Sequence, residues 1–294
     1  MNFTQNIKQI FNQGNALTRL IFINVAIYFI YNAIEIIFIL FKVQFNLSQY
    51  LSVPAELSQL LHKPWTIATY MFMHANFLHI LFNMIALYWF GKLFFISFSE
   101  KQLIGLYVVG GLFSAFFYML AFNVFPYFEP VVGYTVLMGA SGSIMAIIVA
   151  TAIQMPDMQL RLLFIGDIKL KYIAILSVLI SFFGITSDNA GGEIAHLGGA
   201  LCGYLFVVSL RQGKDITNWV SKILNFFVDI FSPRKPKLKT SVNKGFRKMS
   251  DAEFNVNKAQ KIADIDKILD KIKTSGYESL TSEEKKRLFE QGKR

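Results

Sequence analysis

The sequence is poor in charge and in cysteine. Only 16% of its 294 residues are charged, whereas 54% are hydrophobic. This balance excludes an ordinary soluble protein, because the apolar runs approach the ~20 residues that cross a bilayer as a helix. The single cysteine, Cys202, lies within an apolar run, which excludes a disulfide framework and a thiolate metal cluster. We therefore expect an integral membrane protein.

Basic residues are scarce over most of the chain. Of the 29 Lys and Arg residues, 20 fall between residues 211 and 294, so the net charge of +10 belongs mostly to a C-terminal tail. A basic tail beside a membrane segment indicates a cytoplasmic position and attraction to anionic lipid, rather than binding to nucleic acid. The first residues lack a short apolar core followed by a cleavage site, so we expect no removable signal peptide.

Apolar runs predict an all-α fold, a polytopic bundle of six membrane-spanning helices. The expected spans are residues 17–41, 65–90, 103–125, 137–155, 171–185 and 194–210. The loop Lys and Arg residues, together with the basic tail, place both termini in the cytoplasm. Spans two, four and six then enter the membrane from its outer side.

The segments around the spans predict a four-part organisation. Residues 1–16 form an amphipathic leader, 17–210 the transmembrane domain, 211–249 a membrane-surface helix with a basic linker, and 250–294 a small helical cytoplasmic tail. Within the tail, Gly276 is expected to end one helix. Thr281 and Glu284 have the capping-box spacing that begins the next helix.

Two residues are candidates for nucleophilic chemistry. Ser141 lies in the fourth span and His196 in the sixth. A serine hydroxyl attacks only when a base accepts its proton, and a neutral imidazole within hydrogen-bond reach is the usual acceptor. The expected arrangement is a direct hydrogen bond between Ser141 and His196.

Small residues surround both candidates. Gly139 and Gly142 flank the serine, while Gly199 and Gly203 follow the histidine on one helical face. In membrane helices such spacing more often marks a packing surface than a catalytic motif, so the serine motif alone decides nothing. Close approach of the fourth and sixth spans is, however, what the expected hydrogen bond needs.

Further polar side chains share the predicted depth of the serine and histidine. His79 and Asn83 lie in the outer half of the second span, four residues apart and therefore on one face. Polar residues at membrane depth are costly, which makes them functional candidates. Together with the backbone N–H of Ser141, they could donate hydrogen bonds to an oxyanion.

These motifs resemble those of the rhomboid intramembrane serine proteases. The matching motifs are Gly139-Ala140-Ser141-Gly142, Ala195-His196-Leu197-Gly198-Gly199, and His74 with the run from His79 to Asn83. The resemblance covers residues 17–210. It implies a serine endopeptidase of a bacterial inner membrane that cuts transmembrane helices of other proteins and uses neither metal nor cofactor. It also implies Ser141 as nucleophile, His196 as base, and His79 with Asn83 as oxyanion donors.

Some positions depart from the pattern of many members. Trp65 is followed by Thr66 instead of arginine, and Met145 stands where some members have an aromatic ring. His74 also matches a family position, and we interpret it as structural. The acid nearest to the histidine motif is Glu193, which we expect in a loop at the membrane surface. The expected catalytic unit is therefore a dyad.

Three alternatives were weighed. A metal site is disfavoured because the sequence has no His-Glu-x-x-His motif and no convergent carboxylates. A transporter would show paired broken helices in an inverted repeat, which the sequence does not show. A non-proteolytic rhomboid-like protein that binds transmembrane helices stays open as the second hypothesis, although known relatives of that kind lack the serine or the histidine and this chain has both.

Overall fold

The computed structural model describes residues 11, 13–162, 166–231 and 251–291. Most of the predicted amphipathic leader and the basic linker before residue 250 lie outside these residues. The chain divides into two units, Met1–Pro233 and Arg234–Arg294. Helices dominate the described part of both units.

The first unit carries the apolar helices. In chain order its helices are α1 (Ala16–Leu40), α2 (Leu47–Leu51), α3 (Leu57–His62), α4 (Thr66–Thr69), α5 (Phe77–Phe94), α6 (Glu100–Val124), α7 (Ser141–Gln154), α8 (Leu170–Phe183), α9 (Ala190–Arg211) and α10 (Asn218–Phe231). Four of those described, α1, α5, α6 and α9, are long and apolar enough to cross a membrane. The chain is therefore a polytopic helical membrane protein.

The helices α7 and α8 are shorter than the predicted fourth and fifth spans. Each has 14 residues, about 21 Å at the helical rise, against ~30 Å of hydrocarbon. Every residue from 142 to 152 of α7 is buried, so this helix runs through the middle of the bundle, where protein surrounds it. Six spans thus stay a prediction, and four are supported by length.

The predicted second span begins twelve residues too early, at residue 65 instead of Phe77. Residues between them form α4, a 3-10 turn at Tyr70–Phe72 and an extended segment. The helix starts where it does because the side chain of Asn76 accepts a hydrogen bond from the backbone N–H of His79 at 2.9 Å, which caps the helix. An apolar run alone does not reveal such a cap.

Two small antiparallel ladders correct the all-α expectation. The strands are β1 (Val53–Pro54), β2 (Val136–Leu137), β3 (Gln159–Leu162) and β4 (Gly166–Lys169). In the first ladder Val53 pairs with Leu137, and the N–H of Ala55 donates to the carbonyl of Thr135 at 3.0 Å. This ladder ties the long connection after α1 to the segment that leads into Ser141.

The second ladder, β3 with β4, lies between α7 and α8. Lys169 and Lys171 reach the carboxylate of Asp157 at 3.0 and 2.8 Å. Hydrogen bonds from Lys171 and Lys169 lower the pKa of Asp157 to about 2. Two of the loop cations used to predict orientation are therefore paired with an acid.

The first loop is anchored although arginine is missing beside Trp65. The indole N–H of Trp65 donates to the carbonyl of Tyr50 at 2.8 Å, and the hydroxyl of Thr69 donates to the carbonyl of Leu51 at 2.7 Å. Both bonds join α4 to the region of α2. Neutral donors thus tie this loop to the bundle.

Helix α10 begins close to α6. A Cβ added at Gly105 of α6 would lie 2.5 Å from the Cβ of Thr217, so the glycine allows this approach. Val220 is buried, whereas Trp219, Ile223 and Leu224 are partly exposed. An apolar face left exposed on this helix agrees with the predicted position on a membrane surface, which stays a prediction.

The second unit contains α11 (Asp251–Ser275), a 3-10 turn at Tyr277–Ser279 and α12 (Ser282–Gln291). Gly276 follows α11 with φ of 76°, as predicted for a residue that ends a helix. The capping box is also confirmed. The N–H of Thr281 donates to Glu284 at 2.7 Å, and the N–H of Glu284 donates to the hydroxyl of Thr281 at 3.3 Å.

Candidate active site

The N-terminal ends of α5, α7 and α9 meet around a pocket of about 470 Å³. His79, Ser141 and His196 all line it, although they are far apart in the sequence. The other lining residues come from the turns before these three helices and from the first turn of α9. Helix N-termini carry unpaired N–H groups and a partial positive charge, so the pocket favours an anionic group.

Ser141 is the first residue of α7. Gly139, two residues earlier, has φ of 131°, a conformation that L side chains rarely adopt. Its N–H donates to the carbonyl of Tyr70 at 3.0 Å, which fixes the turn. A Cβ added at Gly139 would lie 3.0 Å from Nε2 of His79 and 3.7 Å from Oγ of Ser141. The glycine therefore keeps the space between these two polar groups open.

His196 makes its hydrogen bonds through Nδ1. This atom lies 3.1 Å from Oγ of Ser181 and 3.3 Å from Oε2 of Glu193. Within the described part of the chain, no hydrogen bond joins His196 to Ser141, so the direct bond that we expected is missing here. Both residues nevertheless line one pocket, and catalytic hydrogen bonds often shorten only when substrate binds.

The position expected for Glu193 is wrong. It lies in the first turn of α9, and its side chain is 17% exposed. The sixth span was predicted to begin at residue 194, just after it, but α9 already begins at Ala190. Gly191 sits in the helix because Tyr118 packs against it, and a Cβ there would lie 3.0 Å from the ring.

His79 and Asn83 contribute differently to the pocket. His79 lines it, whereas Asn83 is not among its lining residues. Asn83 lies one turn further along α5, and its side-chain amide donates to the backbone carbonyl of His79 at 3.0 Å. The two residues share a face of α5, as their spacing predicts. The role of Asn83 as an oxyanion donor stays a prediction.

His74 lies in the extended segment before α5 and not on a helix. Its ring packs edge-on against the ring of His79, with centroids 5.2 Å apart. Its Nδ1 lies 3.3 Å from the carbonyl of Phe72. His74 is almost fully buried, and its ring packs against His79, which lines the pocket.

Glycines bring α7 and α9 into backbone contact. A Cβ added at Gly199 would overlap the carbonyl oxygen of Gly142, and one added at Gly203 would overlap the carbonyl oxygen of Ala146. The predicted close approach of these two helices is therefore observed. It places the first turn of α7 against the segment that carries His196.

Helix α6 also contacts α7 closely, which the predicted spans did not include. A Cβ added at Gly142 would lie 2.6 Å from the Cβ of Ser114, and one at Gly110 would lie 2.7 Å from the Cβ of Ala146. Gly110 and Ser114 are four residues apart in α6 and so share a face. That spacing was a usable signal for a third helix at this contact.

No group of three or more His, Cys, Asp or Glu side chains in the described ranges is arranged to hold a metal ion. The polar side chains that line the pocket include the hydroxyl of Ser141, the imidazoles of His79 and His196 and the carboxylate of Asp188.

The long apolar helices and the pocket define the class of protein as a helical membrane protein with a serine and two histidines on one pocket. Comparison with known families refines this class. Residues 61–213 match the rhomboid domain, and the chain belongs to the rhomboid family. Residues 249–294 match DUF6576, a family of unknown function.

A curated relative is RHOMBOID-like protein 12, mitochondrial, of Arabidopsis thaliana. It is 28% identical over 158 residues, which cover 51% of this chain and 47% of the relative. The match thus spans about half of the length of each protein.

Proposed function

We propose that the protein is an intramembrane serine endopeptidase. It hydrolyses a peptide bond within or near the outer end of transmembrane helices in other membrane proteins. The observation that carries this proposal is the placement of Ser141 and His196 on one pocket, at the ends of two helices in backbone contact. Membership of the rhomboid family supports it.

The reaction uses the groups of the pocket in two steps. Oγ of Ser141 attacks the scissile carbonyl while Nε2 of His196 accepts its proton, and the same imidazole then protonates the leaving amine. A water molecule then attacks the acyl-enzyme while the imidazole of His196 accepts its proton. The imidazole returns this proton to Oγ of Ser141, which frees the serine. His79, Asn83 and the N–H of Ser141 stabilise the oxyanion of each tetrahedral intermediate.

The proposed setting is a bacterial inner membrane, with six spans and both termini in the cytoplasm. Since α5, α7 and α9 would then enter from the outer side, the pocket at their N-terminal ends would open towards that side. Residues 17–210 carry the chemistry in this proposal. The amphipathic segment and tail from residue 211 onward would interact with anionic lipid or help to recruit substrate.

Active-site labelling tests the proposal. A fluorophosphonate probe should label the purified protein, and Ser141→Ala and His196→Ala should each abolish labelling and substrate cleavage. EDTA should change neither, because the proposed chemistry needs no metal. An unlabelled, well-folded wild type that still binds transmembrane helices would favour the non-proteolytic alternative instead.

A further inference from the structure

We propose that Glu193 is a positioning residue for His196, the histidine that lines the pocket together with Ser141. Its carboxylate would hold the imidazole in the tautomer and orientation that point Nε2 at Ser141. This inference rests on the proposed function, and it assigns a role to the acid that the sequence suggested to be a loop residue.

The first argument is the hydrogen-bonding chemistry of the pair. Oε2 of Glu193 lies 3.3 Å from Nδ1 of His196. An ionised carboxylate can only accept hydrogen bonds, so the proton between the two atoms belongs to Nδ1. In the neutral imidazole, Nε2 then carries the lone pair. A general base that takes a proton from the serine hydroxyl needs this tautomer.

The second argument is that the carboxylate itself is held in place. Nδ2 of Asn189 lies 3.3 Å from Oε1 of Glu193, on the carboxylate oxygen that does not face the histidine. Ser181 of α8 contacts Nδ1 of His196 at 3.1 Å. Four side chains from two helices and the turn between them, those of Asn189, Glu193, His196 and Ser181, thus form one connected network.

A glycine makes room for this network. A Cβ added at Gly184, just after α8, would lie 2.8 Å from Cγ and 3.1 Å from Cδ of Glu193. A side chain at position 184 would clash with Cγ and Cδ of Glu193. The side chains of His196 and Glu193 are 20% and 17% exposed, so the pair is largely shielded from water and its geometry is well defined.

A simpler role for Glu193 is stabilisation of the helix N-terminus, which acids in a first turn commonly provide. Glu100 shows what that role looks like in this chain. It lies in the first turn of α6, and Oε2 accepts a hydrogen bond from the N–H of Ala16 at 2.8 Å. Glu193 differs because its contacts are with an imidazole that lines the pocket. Glu100→Gln is therefore the matched control for Glu193→Gln.

Loss of the carboxylate should act on the chemical step. Glutamine keeps the length of the side chain, but its amide can donate to Nδ1 and so favour the tautomer with the proton on Nε2. The buried aspartate of serine-protease triads costs ~10⁴-fold when changed to its amide. Because Glu193 is partly exposed and shares Nδ1 with Ser181, we expect a smaller fall in kcat, roughly 10- to 100-fold, at nearly unchanged KM.

The kinetic experiment uses the full-length chain in detergent with a single-span substrate. Wild type, Glu193→Gln, Glu100→Gln and Ser181→Ala are compared, after thermal melting has shown which are folded. The proposal predicts a large loss of kcat for Glu193→Gln, a smaller one for Ser181→Ala and little change for Glu100→Gln. Equal kcat values for Glu193→Gln and Glu100→Gln would overturn it.

A spectroscopic readout guards against a folding artefact. With ¹⁵N-labelled histidine and His196→Ala to assign the signal, NMR should show His196 with its proton on Nδ1 in wild type and a changed tautomer in Glu193→Gln. Ser181→Ala keeps the carboxylate and should leave the proton on Nδ1. If Glu193→Gln does not fold, wild type alone still decides. A proton on Nε2 in wild type, or an unchanged tautomer in a folded Glu193→Gln, would overturn the inference.

The same data separate the two levels of the proposal. A wild type that neither cleaves nor labels would refute the protease function, and the role of Glu193 in catalysis falls with it. A wild type that cleaves through Ser141, combined with a fully active Glu193→Gln, would refute only the positioning role.

Discussion

The contacts that stabilise the pocket region differ from those that stabilise the C-terminal tail. Around the pocket, glycines let the backbones of α7 and α9 touch, and the polar groups of Ser181, Glu193 and His196 are shielded together. In the described part of the tail, Ile268 and Leu280 are the buried apolar side chains. Its ion pairs, such as Lys271 with Glu284 at 3.0 Å, lie at the surface, where such pairs contribute little.

This difference predicts where single substitutions have large effects on stability and activity. A pocket formed by close backbone contact tolerates no added atoms, and its polar groups act only at set distances. The helical pair of the tail has few buried contacts to lose. We therefore expect the largest effects of substitution at the pocket and the smallest in the tail.

The largest of the following effects is expected for Asn83→Ala. If Asn83 donates to the oxyanion, its loss should lower kcat by roughly 10- to 1000-fold. Asn32→Ala is the matched control, because Asn32 also donates to a backbone carbonyl four residues earlier, at 2.8 Å, but on α1. Steady-state cleavage rates of the two variants should differ widely. Similar rates would mean that Asn83 acts only by capping its local carbonyl.

The next effect concerns the helix contact. Gly199→Ala should destabilise the bundle by ~1–3 kcal/mol, since its Cβ overlaps the carbonyl of Gly142 in a packed interior. Thermal melting in detergent would measure the loss. Gly133→Ala is the control, because a Cβ there meets nothing within 4 Å. A Gly199→Ala protein as stable as the control would show that α7 and α9 separate easily.

A smaller and local effect is expected at the tail cap. Thr281→Ala removes one half of the capping box and should cost about 0.5–2 kcal/mol of helix stability. Faster hydrogen exchange at the first amides of α12 would report it, without change in substrate cleavage. Protection equal to wild type would show that the cap adds nothing.

Acid should weaken the same cap. The N–H of Thr281 and the ammonium of Lys271 lower the pKa of Glu284 to about 2. A lowered carboxyl pKa means that the stabilisation is complete above the ordinary value near 4.5 and is lost as the pH falls towards 2. The protection factors of the α12 amides, which compare their exchange with that of unstructured peptide at the same pH, should therefore fall over this range and stay constant above it.

The smallest effect on chemistry is expected from removal of the tail. A chain truncated after Phe231 should cleave substrate in detergent at a rate close to that of the full chain, because residues 17–210 carry the proposed chemistry. Changes should appear instead in lipid binding or substrate recruitment. A folded truncation that reacts with neither probe nor substrate would show that the tail is coupled to the pocket.

The sequence predicted best what depends on local pattern. Four of the six predicted apolar spans, the end of α11 at Gly276 and the capping box at Thr281 follow from composition and spacing, and the structure contains them. The approach of α7 to α9 also followed from small residues at helical intervals. The sequence signal for each of these features lies within a short stretch of the chain.

Other features that depend on tertiary contact were missed. The ladder of β1 with β2 joins segments that are more than eighty residues apart. The start of α5 was also missed, although its cap by Asn76 is local. Glu193 was misplaced because the predicted span began at residue 194, whereas α9 begins at Ala190, where Gly191 packs against Tyr118. The hydrogen bond between Ser181 and His196 joins two different helices and had no local sequence signal.

The position of the cleavage site in a membrane-embedded substrate tests the proposed protease function directly. The full-length protein is reconstituted into liposomes with a single-span substrate of known orientation, and mass spectrometry locates the cut. The account predicts cleavage near the outer end of the substrate helix by wild type and none by Ser141→Ala. A cut in the cytoplasmic half of the helix, or cleavage that persists in Ser141→Ala, would contradict it.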